Sequence, residues 1–172
     1  KNLERIFQKP IRGCAYPYGA YNETVVRQLQ AAGIRYARTV RDTENFSFPE
    51  NWLTWHPTCH FAHKKIEEFT EKFLNEKFDK NPAIFYIWGH SYELEALNNW
   101  NVMETLLNRI GRRTDIWYAT NIAVYDYMKA FHRLNFSAET TFVKNPSAIS
   151  VWIEKKGEIL EIPAGETKEL PE

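Results

Sequence analysis

The sequence has no net charge, no cysteine framework and no long apolar run, and each lack closes off a class of function. Twenty-two basic residues balance twenty-two acidic ones over 172 residues. No long-range field therefore draws the chain to nucleic acid or to an anionic membrane surface. No apolar run approaches the roughly 20 residues that a spanning helix needs, so no membrane insertion is expected. The two cysteines, Cys14 and Cys59, form no framework and no Cys-x-x-Cys pair, and burial is the role expected of both. Internal repeats and low-complexity tracts are also missing. No leader pattern is visible, and Lys1 opens on helix-like sequence; a start inside a longer protein is the expectation, with the compartment left open.

What is there suits a packed domain. Hydrophobic residues make up 44% of the chain, enough to fill a sizeable core at about one domain's length. Strand-like runs fall at Arg12–Tyr16, Arg35–Val40, Leu53–His56, Ala83–Trp88 and Ile116–Ala119. Helical patterns fall between them: Asn22 to Gly33, His63–Asn75, Trp100–Ile110 closed by Gly111, and Ile122–Leu134. This alternation predicts an α/β fold of parallel βα units over residues 1–134. Beyond Leu134 the pattern changes. Phe136, Thr141–Val143, Ala148–Ile153, Ile159–Pro163 and Thr167–Leu170 are short β-like pieces separated by turn residues. Residues 135–172 therefore read as a small antiparallel β appendage.

Two short pieces carry the chemistry, and each closes an apolar, strand-like run. They are Ala15-Tyr16-Pro17-Tyr18-Gly19 and Trp88-Gly89-His90-Ser91-Tyr92. The C-terminal ends of parallel strands are where α/β folds place their reacting groups. His90 is the strongest single candidate, because an imidazole's ordinary pKa lies near working pH. Pro17 stiffens a strand exit and Gly19 permits a sharp turn, which can aim the Tyr18 backbone N–H into a cleft; Pro17 has no N–H to offer. Trp55 and Trp88 can stack on a sugar ring, although most of the aromatics belong to the core. Glu93 and Glu95 follow His90 closely and could hydrogen-bond a substrate, although two carboxylates on a loop are more often just solvated. His56-Pro57-Thr58-Cys59-His60 has metal-ligand spacing, but that spacing converges best on a helix, and Pro57 follows a strand. A self-standing zinc site from His56, His60 and His90 is accordingly the weakest reading.

On these two pieces the chain resembles the back half of the polysaccharide deacetylases (NodB-homology, carbohydrate esterase family 4). Tyr16-Pro17-Tyr18-Gly19 stands at the family's Arg-Pro-Pro-Tyr-Gly-like groove motif, and His90 stands at its late Leu-x-His motif. The resemblance implies a partial (β/α)7-like barrel and a hydrolase that removes acetyl groups from acetylated oligo- or polysaccharides. It casts His90 as general acid and the Tyr18 backbone N–H as oxyanion donor. It places Tyr16, Pro17, Trp88, Trp55, His60 and Arg38 around the substrate. His60 falls in the region where the family has groove-lining residues, and Arg38 is a candidate for the motif arginine that Ala15 replaces. A divalent metal, zinc by the resemblance, would be held by Asp-Asp and His-x-x-x-His motifs preceding Lys1. No metal ligand is expected within this chain, which by itself would be inactive and would associate with its N-terminal portion or with a second copy. The alternative is a non-catalytic carbohydrate-binding or scaffolding protein on a degenerate deacetylase fold, a reading that Ala15 favours.

Overall fold

The most clearly signalled helix begins where the Asn22 side chain accepts the Val25 amide at 2.9 Å. It ends two residues short of Gly33, whose φ of +85° suits a residue without Cβ. The computed structural model describes residues 2–76, 78 and 82–171; Lys1, on which the helix-like opening begins, lies outside them. The chain divides into two compact units, residues 1–118 and 119–172. In the first unit the elements are α1 (Asn2–Phe7), β1 (Gly13–Ala15), α2 (Glu23–Ala31), β2 (Tyr36–Arg38), β3 (Cys59–His60), α3 (Ile66–Asn75), β4 (Ile87–Trp88), α4 (Ser91–Ala96) and α5 (Trp100–Ile110).

The alternation of helix and strand is therefore an α/β arrangement with parallel pairing, as expected, but its strands are very short. β1 pairs with β2 and β3 with β4, both parallel. A single parallel bridge between Arg38 and Trp55 links the two pairs. Trp55 donates its N–H to the Ala37 carbonyl at 2.9 Å, and Thr39 donates to the Trp55 carbonyl at 2.9 Å. The order across this surface is thus β1, β2, the 55–60 segment, β4. No barrel is closed by the described strands.

Two expected strands are corrected. Over 53–56, Asn51 caps a 3₁₀ turn, Trp52–Thr54, by accepting the Leu53 amide, and only Trp55 reaches the ladder. A local side-chain bond of this kind competes directly with strand pairing. Ile116–Ala119 joins no ladder among the described residues. There the Tyr118 hydroxyl accepts the Arg113 N–H at 2.9 Å and donates to the Ile110 carbonyl, fastening the segment to the end of α5. One helix was not expected: α4, directly after His90.

Two apolar clusters hold the first unit. Tyr16, Ala37 and Leu53 bury together, with Cys14, Val26, Leu29 and Ile34 packed against them. Phe46, Cys59, Ile66, Phe69 and Leu106 form the larger cluster beneath α3 and α5. Each fully buried large side chain there is worth about 1.5–3 kcal/mol before entropy is counted.

The second unit contains α6 (Asn121–Phe131), β5 (Asn135–Phe136), β6 (Phe142–Lys144), β7 (Val151–Lys155), β8 (Glu158–Ile162) and β9 (Thr167–Glu169). β5, β6 and β9 form an antiparallel sheet, and β7 and β8 form a hairpin. Lys156 and Gly157, both at positive φ, make its two-residue turn. Val143, Ile162 and Leu170 supply the core. The division read from sequence at 134/135 falls one helix later than the break between units. α6 packs on the hairpin, where the Trp152 N–H donates to the Tyr127 hydroxyl at 3.1 Å. Among the described residues no helix is long and apolar enough to cross a membrane.

Candidate functional site

Because the strands of the first unit run parallel, their last residues gather on one edge. Arg38 ends β2, His60 ends β3 and Trp88 ends β4, with His60 and Trp88 as register partners. Gly89 then turns the chain, and His90 stands immediately before α4. The Gly89 Cα lies so close to Phe61 that a Cβ there would meet the Phe61 ring at 2.1 Å. The missing side chain is what lets β4 close over the residues after β3.

The result is a cluster focused on one carboxylate oxygen. Glu93 Oε2 accepts the His90 backbone N–H at 2.7 Å and lies 3.1 Å from His60 Nε2 and 3.3 Å from His90 Nδ1. The bond from the His90 amide is the chief reason that the Glu93 carboxyl titrates below its ordinary value, with His60 contributing. His60 is the more enclosed of the two histidines, with 19% of its side chain exposed against 50% for His90. Its Nδ1 accepts the Ala62 N–H at 3.1 Å.

Trp88 is the wall behind this cluster. Its ring meets the His60 ring edge-on at 4.6 Å and the His90 ring at 6.1 Å. The Arg38 guanidinium lies 4.6 Å from the Trp88 ring centre, a cation–π contact, and the indole N–H donates to Asp42 at 3.2 Å. Trp88 is thus clamped rather than free-standing. Arg38, His60, Trp88 and His90, all named from sequence, come together.

The groove motif divides differently. Tyr16 is 4% exposed, donates its hydroxyl to the Leu53 carbonyl at 2.8 Å and stacks on Tyr21. It packs in the core, so its expected place at the substrate is corrected. Trp55 is corrected likewise: at 1% exposure it lies among Tyr36, Trp52 and Tyr86 and offers no face to a ligand. Pro17 is exposed, and Tyr18, at φ 54°, projects a side chain that is 98% exposed. No side-chain contact joins Tyr18 to the histidine cluster.

Asp42 is the residue that sequence reasoning passed over, and Glu93, read there as a loop carboxylate, is instead tied to His90 and His60. For Glu93 a signal existed: it stands three residues after His90, the spacing of a helix-capping pair. His56 is held elsewhere, with Nδ1 on the Thr39 hydroxyl, and burial together with Arg41 lowers its pKa. Among the described residues no three His, Cys, Asp or Glu side chains form a group able to hold a metal, so a zinc site from His56, His60 and His90 is not built. Neither cysteine is an activated nucleophile. Burial raises the Cys14 thiol and pushes Cys59 up to about 12, with Asp42 and Glu44 adding to it.

No family model, curated protein or solved structure matches the chain.

Proposed function

We propose that the chain is part of a polysaccharide deacetylase-like hydrolase that removes acetyl groups from acetylated sugars, its parallel strands forming an arc of a (β/α)7-like barrel. One observation supports this above the others: His90, half-exposed at the C-terminal edge of parallel strands, has its Nδ1 turned to a carboxylate. That arrangement leaves Nε2 to meet a ligand. A histidine so held can donate a proton from Nε2 to the leaving nitrogen or oxygen of an acyl group as its bond to the acyl carbon breaks. Trp88, clamped by Arg38 and Asp42, would form a wall of the sugar site, with Pro17 and Tyr18 at its margin.

The described residues do not fit a metal centre, having no group of three ligands. We assign the divalent metal of this reading, with zinc first in view, to residues upstream in the complete protein. That N-terminal portion, or failing it a second copy, is the partner expected beside β1.

The test is acetate release by the full-length protein from an N-acetylated chito-oligosaccharide and from an O-acetylated xylo-oligosaccharide, which separates amide from ester cleavage. His90→Ala should lower kcat/KM about 10²–10⁴-fold, the usual worth of a general acid. Sugar binding without acetate release from either substrate would replace the hydrolase with a non-catalytic carbohydrate binder.

A further inference from the structure

We propose that the strand-end site takes a sugar bearing an anionic group, a carboxylate or a phosphate, and that Arg38 binds that group. The assignment rests on the hydrolase reading and names its substrate class, but its test makes no use of acetate release.

Three facts converge on it. First, the protein leaves the charge of Arg38 unanswered. The guanidinium lies 4.6 Å from the Trp88 ring centre, and its Nη1 donates to the Thr39 carbonyl at 3.1 Å. Among the described residues it forms no ion pair. Arg38 is partly buried. A charge drawn half out of water loses hydration that an opposite charge ordinarily replaces.

Second, the carboxylates around it are committed elsewhere. Asp42 Oδ1 accepts the Trp88 indole N–H at 3.2 Å. Glu93 Oε2 accepts the His90 amide at 2.7 Å and lies 3.1 Å from His60 Nε2. Glu44, farther along the loop that leaves β2, pairs with Lys65 at 3.3 Å. Arg41 on the same loop is exposed and also lacks an ion pair among the described residues.

Third, the guanidinium is oriented before any ligand arrives. Trp88 under its plane and the carbonyl of the buried Thr39 beside it restrict its rotamers, and Asp42 in turn holds the indole. Little side-chain entropy is then left to lose on binding. The planar fork of N–H groups matches two oxygens of a carboxylate or phosphate, a match that a lone hydroxyl of a neutral sugar does not make. A sugar resting against the Arg38 side of Trp88 meets this fork before it meets the bare indole.

The experiment is titration calorimetry of the full-length protein with three unacetylated ligands, so that no turnover contributes: trigalacturonate, a trisaccharide carrying a 6-phosphate, and the neutral parent of that trisaccharide. One anionic ligand should bind about tenfold tighter than the neutral one, the low end for a hydrogen bond to a charged group; the tighter of the two identifies the anion. Arg38→Gln should bring the anionic-to-neutral affinity ratio to about one. Arg38→Lys keeps the charge without the fork and should retain part of the ratio. Asp42→Asn keeps an oxygen for the Trp88 indole, removes a competing negative charge and should raise the ratio about two- to fivefold. If Arg38→Gln does not fold, these two variants carry the test. Equal affinity for anionic and neutral ligands in the wild type would overturn the proposal. So would an Arg38→Gln or Arg38→Lys protein that weakens all three ligands equally, the pattern expected if Arg38 instead holds a carboxylate of the protein. The hydrolase reading stands or falls separately. Anion preference with no acetate release keeps the binding and removes the reaction, whereas acetate release with no anion preference does the reverse.

Discussion

Gly89 is the residue whose replacement should report most directly on how the site is built. A Cβ at this position would lie 2.1 Å from Phe61 Cδ1, 2.5 Å from Cε1 and 3.2 Å from His60 Nε2. Carbon atoms pack at about 3.5–4.0 Å, so the Phe61 ring must retreat by roughly 1.5 Å. It has little room to do so. Phe61 is 3% exposed, and its backbone is tied to β4 through its N–H on the Trp88 carbonyl at 2.9 Å. Gly89→Ala should therefore carry an overpacking cost of about 1–3 kcal/mol. The His60 ring must yield by a few tenths of an ångström, which lengthens its 3.1 Å bond to Glu93. Hydrogen exchange at the Thr58 and Phe61 amides, which bond to Tyr86 just before β4 and to Trp88 within it, reads the loss within the first unit alone. The double variant Gly89→Ala/Phe61→Leu should recover about 1 kcal/mol or more relative to the sum of the singles, because the pair is in contact. An alanine variant whose amides exchange like the wild type's, or whose effect simply adds to that of Phe61→Leu, would refute the reasoning.

Three further outcomes follow from buried and half-buried groups. Asn145, wholly buried, donates to the Ile149 and Ile162 carbonyls at 2.8 and 2.9 Å and accepts the Ser147 N–H at 3.0 Å. Asn145→Ala strands those carbonyls and should cost the second unit about 2–4 kcal/mol, measured by exchange of the β8 amides. Cys59 has its pKa raised to about 12, so the folded chain keeps a proton that the unfolded thiol releases near pH 8.5. Its contribution is complete below that pH and declines as pH rises towards 12; Cys59→Ala should flatten the alkaline limb of the stability–pH curve. His56 is shifted the other way, mainly by burial and then by Arg41. Its native form resists the proton that the unfolded histidine takes up near pH 6.5, so stability present above that pH is lost on acidification, and His56→Gln should reduce the loss.

Local chemistry was enough to read most of the elements from the chain. Asn22 with Gly33, and Gly111 after Trp100–Ile110, bound helices through caps that act within a turn. The hairpin pieces after Leu134 follow from period-two patterning and a turn at Lys156-Gly157. That His90 falls just beyond a strand's C-terminal end was legible too, because it directly follows an apolar run. The rest was decided between segments far apart in sequence. Which tyrosine of Tyr16-Pro17-Tyr18 is buried depends on the Leu53 carbonyl, 37 residues away. Trp55 faces inward because β2 takes its backbone. Ile116–Ala119 has strand propensity, but a strand exists only where a neighbour accepts its hydrogen bonds. Glu93 looked like a solvated carboxylate because its meaning comes from His60, 33 residues earlier. Sequence spacing sets what shares a helix turn or a strand face, whereas a site gathered from several strand ends depends on register and packing, which only the folded chain supplies.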